Sequence, residues 1–167
     1  MTILASVLAI AAFGSAGLSP ASAQSIRSTD TLTYAGAKMI IAGCEAMALK
    51  EDWSVGLWVL DSAGRPIAAA AVNDASEIGM STARLKAETA LRVGMPSEDW
   101  SRFLETPSGQ RTSDQLGLFT APGGLPVIAN GKVVGAVGAG GIMPANGVSL
   151  DRKCVQAGID ALNLPAR

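Results

Sequence analysis

Two short runs of small and β-branched residues, Leu125 to Ala129 and Lys132 to Ala139, flank Asn130-Gly131. Asn-Gly between β-prone runs predicts a hairpin closed by a type I′ turn, which needs φ > 0 at both central residues. In the second run Val133, Gly135, Val137 and Ala139 alternate with Lys132, Val134, Ala136 and Gly138, and both sets are small or apolar apart from Lys132. Two such faces predict a central strand. Upstream, Trp53 to Leu60 alternates, Asp61 to Gly64 supplies turn residues and Pro66 to Val72 returns, which predicts a second hairpin. The alanines Ala68 to Ala71 have poor β propensity, so a strand there requires a helix or a neighbouring subunit packed closely on it.

Helical spacing fills much of the remainder. Ala37, Ile40, Ile41, Cys44 and Met47 predict a first helix, capped by Thr31 or Thr33 and running to about Lys50. Ala83, Ala87, Ala90 and Leu91 form the apolar stripe of a second helix, expected from an N-cap at Ser81 to Val93 and ending at Gly94 before Pro96. Within it Arg84 and Glu88 stand four apart, the spacing of an ion pair. A short third helix is expected over Ser97 to Glu105. Thr106 to Phe119 has no clear periodicity and contains Pro107, Gly109 and Gly117, so it is expected to be a loop that covers a site or moves. Ile142 to Gly147 is read as a turn. Ser149 then caps a last helix with Asp151 in its first turn, where negative charge suits the helix dipole. This order of elements predicts an α+β domain on an antiparallel sheet.

Several of these pieces resemble one family. The segment PGGLPVIANGKVVGAVGAGG followed by the helix DRKCVQAGIDAL, with VLDSAGRPIAAA and STARLKAETAL upstream in the same order, is similar to the GlcG/HbpS family. That family includes the C-terminal domain of PduO-type proteins and is often described as haem-binding or haem-degrading. The resemblance covers about residues 31 to 163. It implies a single α+β domain, an antiparallel sheet of about five strands flanked by helices in a profilin-like layer arrangement. It also implies a homo-oligomer, and the small, apolar strand faces suit close subunit packing. In folds of this type the terminal helices pack on the same side of the sheet, which makes a Cys44–Cys154 disulfide the expectation. The alternative is two small buried hydrophobes that never meet.

The first 23 residues change the expected compartment. Met1 to Ala23 carries no charged side chain, has an apolar run from Ile3 to Phe13 and ends in Ala21-Ser22-Ala23. This predicts a secretory signal peptide with an A-x-A cleavage site, although its start lacks Lys or Arg. The apolar run is too short, and too broken by Gly14, Gly17 and Pro20, to suit a membrane anchor. The expected organisation is therefore a signal peptide over 1–23, a flexible segment over 24–30 and one domain over 31–167, in a periplasmic or secreted protein with no membrane attachment after cleavage. Two cysteines in an exported chain are consistent with a disulfide.

Charge and residue counts narrow the chemistry. Thirteen basic and 14 acidic residues leave the chain near neutrality with no basic stripe, which argues against nucleic acid as a partner. There is no histidine, which removes the commonest metal and haem ligand and the commonest general base. The axial candidates for haem are then Tyr34, the thiols of Cys44 and Cys154 if free, and Met39, Met47, Met80, Met95 or Met143. Arg84 and Lys86 could hold carboxylates such as haem propionates, or be two solvated helix charges. The glycines before the last helix match neither G-x-G-x-x-G followed by a helix nor a P-loop, and are read as tight strand packing.

For acid–base chemistry the candidates are Lys86, Tyr34 and carboxylates such as Asp61, Asp74, Glu77, Glu88 and Asp114, but no spacing fixes two of them into one site. Lys86, Glu88 and Asp61 are the catalytic candidates, and Arg84, Lys86, Tyr34 and Met80 the cofactor-binding ones. No cluster with metal-ligand spacing is evident. The first functional expectation is an exported small-ligand binding or sensing protein, with haem or a related tetrapyrrole held without histidine. The second is a lyase- or isomerase-type enzyme acting on a small oxygenated molecule by proton transfer. The third is a ligand-free accessory subunit of an oligomer.

Overall fold

The computed structural model describes residues 30–142 and 150–164; the expected signal segment, Met143 and the Ser149 cap lie outside them. In chain order it contains α1 (Tyr34–Lys50), β1 (Val55–Asp61), β2 (Pro66–Val72), α2 (Glu77–Val93), a 3₁₀ segment (Ser97–Glu105), α3 (Pro107–Leu116), β3 (Gly124–Ala129), β4 (Lys132–Gly140) and α4 (Leu150–Asp160). The strands form one antiparallel sheet in the order β2-β1-β4-β3, so among the described residues there are four rather than about five.

Both hairpins form as the sequence predicts. Asn130 and Gly131 take φ of 51° and 72°, the left-handed pair that a type I′ turn requires. Strand alternation in β4 is interrupted, however. Val127 pairs with Gly135 but Ile128 pairs with Val133, which leaves Val134 as an extra residue. Such a bulge shifts side chains to the other face. Val134 therefore joins Val137 and Ala139 in the core, a correction to simple alternation.

The two faces of the sheet are covered differently. On one, Val55, Leu57 and Val59 of β1 pack with Val137 and Ala139 of β4 against Ala37, Ile40 and Cys44 of α1 and Cys154 and Val155 of α4. Cys44 and Cys154 form a disulfide with Cα atoms 4.7 Å apart, joining these two helices. The alanine strand β2 is an edge strand, and α1 packs on it.

On the other face α2 lies over β1, β3 and β4. It approaches so closely that a Cβ at Gly138 would collide with the Ala83 carbonyl oxygen. The buried stripe Ala83, Ala87 and Ala90 is small for the same reason.

Two helix boundaries depart from expectation. Helix α2 starts earlier, because the Ser76 side chain accepts from the Gly79 N–H; the Ser81 hydroxyl instead donates to Glu77. Residues 107–116 are helical rather than loop. Thr106 caps the Gly109 N–H, Pro107 occupies the first turn and Gly117 ends the helix at φ 62°. Its stripe is masked because only Ser113 is buried, so stop and start signals define it better than apolar periodicity. The 97–105 segment winds as 3₁₀. No described helix is long and apolar enough to cross a membrane.

Candidate ligand site

Where α2 ends, the chain turns at Gly94 (φ 67°) and passes through Met95 and Pro96. This corner faces the outer edge of β3 and one side of α4, leaving a cleft of about 570 Å³. Leu125, Pro126 and Ile128 of β3, with Ile159 of α4, form its apolar wall. Arg152 and Gln156 of α4 supply polar groups and Met95 a thioether. Arg152 pairs with Glu98 of the 3₁₀ segment, linking the two sides of the cleft, and Gln156 donates to Asp160. The Arg102 guanidinium sits 3.8 Å from the Met95 sulfur and 5.7 Å from the centre of the Phe103 ring, which itself stacks on Trp100.

Ser97, Gly124 and Asp151, each next in sequence to a residue that lines the cleft, belong to a buried polar cluster. Lys86 Nζ is 2.6 Å from Asp151 Oδ2, and Asp151 Oδ1 accepts from the Ile142 N–H at 3.0 Å. The backbone over the pair must be glycine. At Gly123 (φ 115°) an added Cβ would lie 2.6 Å from Asp151 Cβ, and at Gly124 it would collide with the Lys86 carbonyl. Fully buried Ser97 completes the cluster, donating to the Ala121 carbonyl and accepting from the Gly124 N–H. The Pro-Gly-Gly turn, α2 and α4 are thereby fixed to one another.

Most candidates named from sequence lie away from the cleft. Lys86 is buried in its pair with Asp151, which corrects the view of it as a solvated charge, and it does not line the cleft. Arg84 is exposed and pairs with Glu88 at 2.9 Å, as their spacing predicts. Tyr34 opens α1, largely exposed, with the Lys38 ammonium over its ring. Met80 is half-buried on α2, with its backbone against Gly56. Cys44 and Cys154 are consumed by the disulfide.

Asp61 belongs to the first hairpin. Its carboxylate accepts from the N–H groups of Ala63 and Arg65, both at 2.9 Å, and from Arg65 Nε at 2.7 Å. Burial pushes its pKa up, but the Arg65 and Ala63 hydrogen bonds and the Arg65 charge outweigh this and hold it below the usual carboxylate value. Asp61, Glu88 and Lys86 are not brought into one site. Among the described residues no group of three His, Cys, Asp or Glu side chains could hold a metal ion.

Residues 32–160 match the family model described as "Haem degrading protein HbpS-like". The chain belongs to the HbpS-like family. Protein GlcG of Escherichia coli K12 is 32% identical over 108 residues, covering 61% of this chain and 75% of that protein. An uncharacterized 15.0 kDa protein from the dhaT-dhaS intergenic region of Citrobacter freundii is 29% identical over 136 residues, covering 80% and 93%. The HbpS crystal structure superposes with a TM-score of 0.73 at 24% identity, covering 92% and 99%. PduOC, solved as a heme complex, gives 0.67 at 20% identity, covering 81% and 97%. These structures establish the HbpS-like fold.

HbpS-like proteins include haem-binding and haem-degrading members, so the cleft can be tested against that ligand. Its volume falls in the range of roughly 300–1,000 Å³ usual for small-molecule sites. Its apolar wall suits a flat macrocycle, Arg152 suits a carboxylate and Met95 is the one lining side chain able to ligate haem iron. The donor set fits. Of these residues, only Met95 was among the axial candidates in the sequence. Arg152, Gln156, Ser97 and Asp151 carry no local motif that marks a site; Asp151 reads simply as a charge suited to a helix N-terminus.

Proposed function

We propose that this chain is an exported small-ligand binding or sensing protein whose leading ligand is haem or a related tetrapyrrole, held without histidine. The observation that carries this reading is the cleft in which Met95, Arg152 and an apolar strand edge converge. Met95 would ligate the iron and Arg152 would hold a carboxylate, while Leu125, Pro126, Ile128 and Ile159 exclude water from the ring. Bound haem would supply its own redox and ligand chemistry. The family description and the heme complex of PduOC support the choice of ligand.

Export is supported by the apolar segment Met1–Ala23 with its A-x-A end and by the disulfide, since disulfides persist in oxidising compartments. The small-residue strand β2 supports assembly as a homo-oligomer. Proton-transfer catalysis through Lys86 is the less favoured reading, because its ammonium is committed to Asp151 and almost wholly buried. The test is an absorbance titration of the mature protein with haem. Saturable binding at a fixed stoichiometry, with a sharpened Soret band, is expected; a non-saturating, broad response rejects the haem assignment.

A further inference from the structure

The two edges of the sheet are finished differently. At β3 the outer edge is short of free donors: the Gly124 N–H is taken by Ser97 Oγ, and Pro126 has no N–H to offer. At β2, Pro66 and the register shift near Val59/Leu60 protect the first residues only. From Ala68 to Val72 the strand has no charge, no proline and no bulge. The described elements that pack on it are β1 on its inner edge and α1 on one face. Ala69 and Ala71 are exposed on the other face. Proteins ordinarily blunt such an edge with charge, proline or a bulge, because its free N–H and C=O groups invite another strand.

We infer that β2 pairs antiparallel with β2 of a second copy of this chain, about a two-fold axis through Ala69. The charges flanking the strand are self-complementary in this arrangement. Arg65 precedes it, with Nε on Asp61 and its side chain 74% exposed. Asp74 follows it, exposed and with φ of 55°. A two-fold at Ala69 brings the Arg65 end of β2 in one copy beside the Asp74 end in the other, twice per dimer. Alanine side chains permit the close contact at the axis, and the Pro66 end lacks a donor in either copy. The inference rests on the reading of the chain as a homo-oligomer and names the surface used.

Sedimentation velocity on the mature chain tests it with Ala69→Glu and Ala69→Lys. Residue 69 opposes itself, so either charge meets its like, which is destabilising for directly opposed residues. Each variant is expected to raise the dissociation constant by about tenfold or more, with an unchanged circular dichroism spectrum. An equimolar mixture of the two variants is expected to recover assembly, because Glu then meets Lys. Wild-type protein that stays monomeric overturns both the homo-oligomer reading and this interface. Assembly that neither variant disturbs overturns the interface alone. Weakening that the mixture does not recover overturns the two-fold at Ala69.

Discussion

Lys86 of α2 and Asp151 of α4 stand 65 positions apart, yet their Nζ and Oδ2 atoms are 2.6 Å apart with both side chains about nine-tenths buried. The pair joins the helix on one face of the sheet to a helix on the other, around the Gly123-Gly124 turn. Removing one partner of such a pair leaves an uncompensated buried charge. Lys86→Met is therefore expected to destabilise by about 3–5 kcal/mol in denaturant unfolding. Adding Asp151→Asn, which removes the charge and keeps an acceptor for the Ile142 N–H, should recover much of the loss. A single-variant cost under about 1 kcal/mol, as for a surface pair, contradicts the structural role.

The packing of α2 on β4 has its own prediction. Gly138→Ala would drive a Cβ into the Ala83 carbonyl, a backbone atom that cannot rotate away. We expect a loss of about 1–3 kcal/mol, typical of overpacking. Gly131, whose added Cβ would meet nothing within 4 Å but whose φ is 72°, provides the comparison for backbone strain without collision.

The disulfide closes a loop spanning 110 positions between two fully buried cysteines. Replacing both with alanine should lower stability by about 2–4 kcal/mol. The folded protein should also resist mild reductant, measured as persistent protection of both thiols from alkylation. Rapid labelling under native conditions contradicts the buried linkage.

Asp61 predicts a pH dependence. Its folded-state pKa lies below the unfolded value, so the native carboxylate keeps its charge where the unfolded one has taken up a proton. The stabilisation is fully present above about pH 4, near the unfolded carboxylate pKa, and is lost as pH falls through the lower folded value. Asp61→Asn should reduce stability at neutral pH and flatten the acid limb below about pH 4. An unchanged acid limb in urea unfolding experiments removes Asp61 as its source.

Local rules read much of this fold from sequence. Asn130-Gly131 specifies its turn because few residues tolerate two left-handed positions, and Thr33 and Gly94 mark helix ends by backbone chemistry alone. The helix at 107–116 carries equally local signals in Thr106, Pro107 and Gly117, but its surface position removes the apolar stripe that would have drawn attention to them. The bulge at Val134 is set by pairing between strands, which no single run reveals. The site was less legible for the same reason. Met95 and Arg152 meet only after α2, β3 and α4 are packed, and Lys86 resembles a surface charge until Asp151 is beside it.

Haem titrations of wild type and Met95→Leu, with Tyr34→Phe as a control outside the cleft, test whether the cleft beside β3 binds haem through Met95. Saturable binding is expected, with a spectrum that shows an axial sulfur ligand in wild type and Tyr34→Phe. Met95→Leu should lose that signature while keeping its fold. Identical spectra for wild type and Met95→Leu, or loss of the spectrum in Tyr34→Phe instead, would contradict binding through Met95.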